Sequence, residues 1–217
     1  MWVAAANFIS AAMAQRAVRG GVDTVTTSGS TVALTASGSS VTGADVTLNG
    51  SNNTVTAVAN DTLTLNGSNN IISGAAGDMF YETGGGNNKY NFARGGGVET
   101  IAKNAASGLG KNGELDLAPG IASNQLWFEH KGNDLQVDIL GTTDHVTVKD
   151  WYSSDNAKFQ AIKTSDGNTL TIDAQFNLLV QNLATFGASH SAFNPVTATA
   201  FPNDPALQST LAASWHS

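Results

Sequence analysis

The middle of the chain alternates short apolar–polar runs with turns of Gly, Asn, Ser and Asp, and the turns recur. Asn49-Gly50-Ser51-Asn52-Asn53 returns seventeen residues later as Asn66-Gly67-Ser68-Asn69-Asn70, and a looser copy, Gly84-Gly85-Gly86-Asn87-Asn88, follows after another eighteen. Between the copies stand Asp61-Thr62-Leu63 and Asp78-Met79-Phe80, again seventeen apart. The series Asn53, Asp61, Asn70, Asp78, Asn88 steps by 8, 9, 8 and 10 residues. Each member is followed two places on by an apolar residue: Val55, Leu63, Ile72, Phe80, Tyr90. A polar turn and then a short strand with one inward apolar side chain, repeated at this period, predicts a stacked solenoid. Two turns per coil would put Asn53, Asn70 and Asn88 on one side of a flattened coil and Asp45, Asp61 and Asp78 on the other. Stacked Asn side chains can hydrogen-bond along such a ladder without any ligand. The coil length favours a two-sheet roll, while a three-sided β-helix stays open.

Beyond residue 92 the repeat fades and the strands lengthen. Leu126-Trp127-Phe128-Glu129, Leu135 to Ile139, His145 to Val148, Phe159 to Lys163 and Leu170 to Ile172 read as strands, the last two joined by the hairpin turn Ser165-Asp166-Gly167-Asn168. Leu179, Leu183 and Phe186 have helical spacing, and Pro205-Ala206-Leu207 opens a short terminal helix after an irregular stretch. At the other end, Val3, Phe8, Ile9 and Met13 predict one apolar face of an Ala-rich helix covering the first coil, ended by Gly20-Gly21. The expected division is a capping helix at 1–20, degenerate repeats at 21–92, a β-rich cap at 93–186 and a tail at 187–217. The fold class is therefore all-β, a parallel β-roll with caps.

Composition narrows the function classes. No Cys is present, which removes disulfides and thiolate zinc sites. Only 12% of residues are charged, and the formal net charge of -7 with no Lys/Arg cluster argues against nucleic acid. No apolar run is long enough for a membrane span. Ala12-Met13-Ala14 mimics a signal-peptidase site, but no Lys or Arg precedes the apolar run, so a cleaved leader is not expected.

Several segments carry a family likeness. Gly84-Gly85-Gly86-Asn87-Asn88-Lys89-Tyr90-Asn91-Phe92-Ala93-Arg94-Gly95-Gly96-Gly97-Val98-Glu99-Thr100-Ile101 resembles the last repeat and exit segment of the haemolysin-type calcium-binding (RTX) family. Asp144 to Tyr152 resembles the domain after those repeats, and Leu179 to Phe186 with the ending Leu211-Ala212-Ala213-Ser214-Trp215 is similar to the carboxyl-terminal region of large RTX proteins. The resemblance implies a parallel β-roll, a secreted or cell-surface location, and export by a type I secretion machine that reads an uncleaved carboxyl-terminal signal tolerant of substitution. It also implies Ca²⁺, bound in the family by an Asp at the sixth repeat position with Gly residues admitting backbone carbonyls. Here the matching residues are Asn53, Asn70 and Asn88, each lacking the charge that would oppose the ion. The expectation is a largely calcium-independent roll, with Asp61 and Asp78, and more weakly Asp45, as the remaining Ca²⁺ candidates.

No catalytic pattern emerges. His130, His145, His190 and His216 fall in no metal-protease motif, and neither a G-x-S-x-G elbow nor a phosphate loop is present. Trp127, Phe128, Trp151 and Tyr152 read as the core of the cap rather than a sugar-stacking platform, so no carbohydrate partner is expected there. The chain is thus expected to be a non-enzymatic secreted module. The alternatives are an extracellular structural protein that self-associates through its coil ends, or a Ca²⁺-binding β-roll using the Asp column.

Overall fold

The computed structural model describes residues 45–103 and 108–216, together with the backbone of four earlier strands. Those four are β1 (Phe8–Ser10), β2 (Arg16–Arg19), β3 (Val22–Thr26) and β4 (Thr31–Thr35). After them come β5 (Asp45–Asn49), β6 (Thr54–Thr56), β7 (Thr62–Asn66), β8 (Ile71–Ser73), β9 (Met79–Gly84) and β10 (Lys89–Phe92). The series continues with β11 (Val98–Lys103), β12 (Glu114–Leu117), β13 (Leu126–Lys131), β14 (Asp134–Ile139) and β15 (His145–Val148). The remaining elements are β16 (Ala161–Lys163), β17 (Thr169–Thr171), α1 (Ala174–Ser189), α2 (Pro205–Ser214) and β18 (Trp215–His216).

Up to β12 the chain shuttles between two sheets, odd-numbered strands joining one and even-numbered strands the other. The sheet orders are β1-β3-β5-β7-β9-β11-β15-β14-β13 and β18-β17-β16-β12-β10-β8-β6-β4-β2. Each strand pairs in parallel with the one two places on, for example Val46↔Leu63↔Phe80↔Ile101 and Val55↔Ile72↔Tyr90↔Leu115. The strands are short and β-branched because only every second residue must be apolar, and those residues are the buried ones: Val46, Leu48, Leu63, Leu65 and Phe80 on one side, Val55, Ile72 and Tyr90 on the other. A one-residue slip would bring the Thr residues of Thr54-Val55-Thr56 and Thr62-Leu63-Thr64 inward, so the alternation itself locks the register.

Parallel pairing outlasts the sequence repeat. β11 still lies between β9 and β15, and β12 between β10 and β16. Antiparallel strands then finish both sheets: β14 and β13 beyond β15, and β17 and β18 beyond β16. The Asp166-Gly167 turn makes the β16–β17 hairpin, with Gly167 at φ +94°. Helix α1 starts where Asp173 accepts from the backbone N–H of Gln175 and Phe176, and it packs on β13 and α2.

Two expectations are corrected. The amino-terminal segment carries strands β1 and β2, not a capping helix over 1–20, and the described helices lie at the carboxyl-terminal end. Arg16 to Arg19 pairs in parallel with Val32 to Thr35, so propensity for a short Ala-rich helix yields to the ladder its neighbours offer. The tail is also more ordered than its composition suggests. Phe201, Leu207, Leu211 and Trp215 are buried, and Trp215 pairs with Leu170.

A chain of rings joins the stacked strands to the cap. Phe80 lies 5.8 Å from Tyr90, Tyr90 5.7 Å from Phe159, Phe159 6.3 Å from Trp151, Trp151 5.7 Å from Phe176, and Phe176 5.5 Å from Phe128. All six rings are buried. Phe159 is the link between the two halves of this series, touching Tyr90 in β10 and Trp151 in the cap. Phe159→Ala should therefore cost about 3–5 kcal/mol, read as a lower midpoint in urea with the sheets and helices melting together.

Candidate functional site: two buried polar columns

The Asn turns need backbone conformations that few residues adopt. Asn52, Asn69 and Asn87 sit at φ +62°, +58° and +59°, in the left-handed region that Asn tolerates. The turns stack so closely that a Cβ on Gly67 would fall 1.9 Å from the carbonyl oxygen of Gly50. Backbone bonds cross each gap, from Gly50 N–H to Asn66 O (3.2 Å) and from Asn52 N–H to Ser68 O (3.0 Å).

Asn53, Asn70 and Asn88 point into the stack and are at most 1% exposed. Asn70 Oδ1 accepts from both the backbone N–H (2.9 Å) and the Nδ2 amide (3.0 Å) of Asn53. Asn88 Oδ1 accepts in the same way from Asn70, at 2.9 and 3.1 Å. The Nδ2 groups of Asn70 and Asn88 also donate to the carbonyls of Gly50 and Gly67, each at 3.1 Å. Every amide therefore presents N–H donors toward its neighbours. A calcium ion needs oxygens on all sides, so this column does not fit the metal that the family likeness implies. The ladder stops at Asn88, because the next rung is Gly113, whose added Cβ would lie 2.4 Å from Asn88 O.

The second column joins Asp61, Asp78 and Glu99. Asp78 Oδ1 accepts from the backbone N–H of Asp61 (2.8 Å) and its Oδ2 from that of Ala75 (2.7 Å). Asp61 Oδ2 accepts likewise from Val58 N–H at 2.8 Å, three residues before it. These are Asx-type turn bonds repeated rung upon rung. Asp45 is not part of the column. It pairs with Thr62, one place out of register, and is exposed. Its place sixteen rather than seventeen residues before Asp61 is the reason, since one residue of offset reverses the face.

Glu99 is the residue that sequence spacing missed. β11 sets it beside Asp78, and it is 2% exposed with Oε1 lacking any hydrogen-bond partner. Being one methylene longer than Asp, it leaves the Asp78 N–H to bond Ala75 O at 3.2 Å instead. The signal was present, an acid twenty-one residues after Asp78 in a strand-like run, but a longer turn had shifted the period. Burial raises Glu99 to about 8, helped by the Asp78 charge, and burial raises Asp78 to about 6.

Further along the same interior, the apolar row Leu48↔Leu65 continues as Glu82↔Lys103. Tyr90 Oη donates to Glu82 Oε2 at 3.1 Å. The Lys103 ammonium donates to Asn112 O, to Asn112 Oδ1 (3.1 Å) and to Lys158 O (3.1 Å), and lies 4.9 Å from the Phe159 ring centre. Burial lowers Lys103 to about 8 against the pull of Glu82. Among the described residues no cluster of three or more His, Cys, Asp or Glu side chains is arranged to hold a metal ion.

The aromatic residues named from the sequence sit in the cap. Trp127, Phe128 and Trp151 are buried, while Tyr152 is half-buried with its ring centre 3.7 Å from that of His130, the two planes tilted by 34°. His145 is half-buried in β15 opposite Asp138, His130, His190 and His216 are exposed, and the four are not grouped. Asp144 accepts from the N–H groups of Gly95 (2.7 Å) and Gly97 (3.0 Å), fixing the Gly95-Gly96-Gly97 turn against the cap.

Two family models match. Residues 134–174 are similar to the haemolysin-type calcium binding protein related domain, which supports an RTX-like relationship for the cap. Residues 33–87, spanning the turns of the Asn column, match a family described as a protein of unknown function (DUF3060). No described helix is long and apolar enough to cross a membrane.

Because the folded chain holds the Glu99 proton to about pH 8 while the unfolded chain releases it near the ordinary 4.5, stability falls as pH rises through that window. Glu99→Gln should remove most of this slope and raise the melting midpoint at pH 8 while changing little at pH 4. Thermal melts across pH 4 to 9 on both proteins check it.

Proposed function

We propose that this chain is a non-enzymatic, secreted RTX-like module whose stacked strands form a largely calcium-independent β-roll, exported by a type I system that reads its carboxyl-terminal end. The observation that carries the calcium-independent part is the Asn53–Asn70–Asn88 ladder, in which amide donors occupy the interior positions where a cation would need oxygens. The RTX-like relationship of residues 134–174 supports the secreted module and its boundary with a β-rich cap. Burial of Phe201, Leu207, Leu211 and Trp215 in the folded chain supports an order of events: the export machine reads the tail unfolded, and the tail docks afterwards. Such a role needs no catalytic group.

A second reading has its own observation. The unpartnered Glu99 Oε1 beside Asp78 gives the Asp61–Asp78 column one carboxyl oxygen that a cation could claim by displacing its proton, so a weak Ca²⁺ site there is the competing form of the same module. Circular dichroism of the full chain in a chelator, alongside calorimetric titration with Ca²⁺, separates the two. An unchanged β signal and no binding heat are expected. Loss of the β signal in chelator, restored by Ca²⁺ and abolished in Asp61→Ala/Asp78→Ala, would replace the first reading by the second.

A further inference from the structure

The outer face of the second sheet carries a row of polar side chains that the interior columns do not use. Ser73, Asn91, Asp116 and Lys163 stand on β8, β10, β12 and β16 at one register position, Asn91↔Ser73, Asn91↔Asp116 and Asp116↔Lys163. Their strand neighbours Ile72, Tyr90, Phe92, Leu115, Leu117 and Ile162 are buried, so the row faces outward. Successive members are about 4.8 Å apart, the spacing of neighbouring strands. The segment Leu117-Ala118-Pro119 and the hairpin residues Thr164 and Ser165 rise beside the row and close it into a cleft of about 580 Å³. That volume is in the range of small-molecule sites.

The bonding within the cleft is incomplete at one atom. Asn91 Nδ2 donates to Ser73 Oγ at 3.0 Å. Lys163 Nζ turns away toward Glu114 Oε1 at 2.7 Å, and Glu114 Oε2 takes Lys89 at the same distance. Glu114 thereby claims both ammonium groups, and the neighbouring Asp116 is left without an ion pair. Asp116 Oδ1 is buried and has no hydrogen-bond partner, and burial with the Glu114 charge raises its pKa. A buried acceptor in this condition calls for a donor.

The donor's chemistry is set by charge and spacing. Lys89, Lys163, Glu114 and Asp116 cancel, so the surface holds no net charge to recruit an ion. The row offers instead the unpartnered Asp116 acceptor beside the Asn91 amide and the Ser73 hydroxyl, over a partly apolar wall of Leu117, Ala118 and Pro119. Hydroxyl groups spaced along a sugar chain meet both halves of that pattern, since each hydroxyl donates and accepts. We propose that this cleft binds a neutral oligosaccharide, with a sugar hydroxyl donating to Asp116 Oδ1 and the Asn91 and Lys163 side chains on either side of it. Trp127 is not part of the cleft, and binding there owes nothing to aromatic stacking, so its affinity is modest.

The test is a titration of the ¹⁵N-labelled full chain with maltohexaose and, separately, cellohexaose. The expected result with one of them is a saturable set of shifts confined to Ser73, Asn91, Asp116, Lys163 and Thr164, with a millimolar dissociation constant. Asp116→Ala should weaken binding about tenfold, as loss of one hydrogen bond to a charged group requires. Asp116→Asn, which keeps the shape and one acceptor oxygen, should weaken it less, and unchanged spectra elsewhere show that both variants fold. Three results would overturn the proposal: no saturable shift with either sugar, shifts centred on Trp127 and Phe128 instead, or equal binding by wild type and Asp116→Ala.

Discussion

Stacked turns bring buried polar groups face to face, and each of those groups must find a partner or the stack fails. An unpaired buried amide or carboxylate forfeits about 1–3 kcal/mol, a large share of the marginal stability of any domain. The Asn column meets the demand with neutral groups that both donate and accept. The Oδ1 of Asn70 and of Asn88 receives the N–H and the amide of the preceding rung, and the Nδ2 of each also reaches a Gly carbonyl. A carboxylate in those places would accept only, and identical carboxylates one above another would repel unless a cation lay between them. Asn in those places removes the repulsion.

The Asp column shows the other outcome. Asp61 and Asp78 survive because local backbone N–H groups are aimed at their oxygens, while Glu99 reaches past that geometry and keeps an unpartnered oxygen. The chemistry thus changes toward the carboxyl-terminal end of the stack: Asn gives way to Gly113, Asp to Glu99, and Leu to Glu82 and Lys103. The change is where the repeat meets the cap. Lys103 binds backbone oxygens of Asn112 and Lys158, one in the segment leading into β12 and one just before β16, so a side chain inside the stack fastens the parallel strands to the cap.

Much of this was legible in the sequence. The Asn53–Asn70–Asn88 column, the alternation of the strands, the Asp166-Gly167 hairpin and the helix around Leu179 and Leu183 follow from period and turn chemistry. The features that escaped did so for physical reasons. The helix expected near the amino terminus lost to parallel pairing, which only the three-dimensional register reveals. Asp45 looked like a rung because sixteen is close to seventeen, yet one residue decides which face a strand side chain takes. Glu99 and Asp116 are ordinary acids in the sequence, and their isolation depends on which lysines and backbone donors the neighbouring strands supply. The match at residues 134–174 supports the RTX-like relationship and does not extend over the Asn turns.

On the proposed reading, amide-to-amide bonding, not a bound cation, holds the stacked turns. Native-state hydrogen exchange of the Asn53 and Asn70 backbone amides in the presence of a chelator tests it most directly, because each of those N–H groups donates to the next rung of the ladder. The expected result is protection equal to that of Leu63 and Ile72 in the adjoining strands, unchanged when Ca²⁺ is added. Rapid exchange at Asn53 and Asn70 in chelator, slowed only by Ca²⁺, would contradict it.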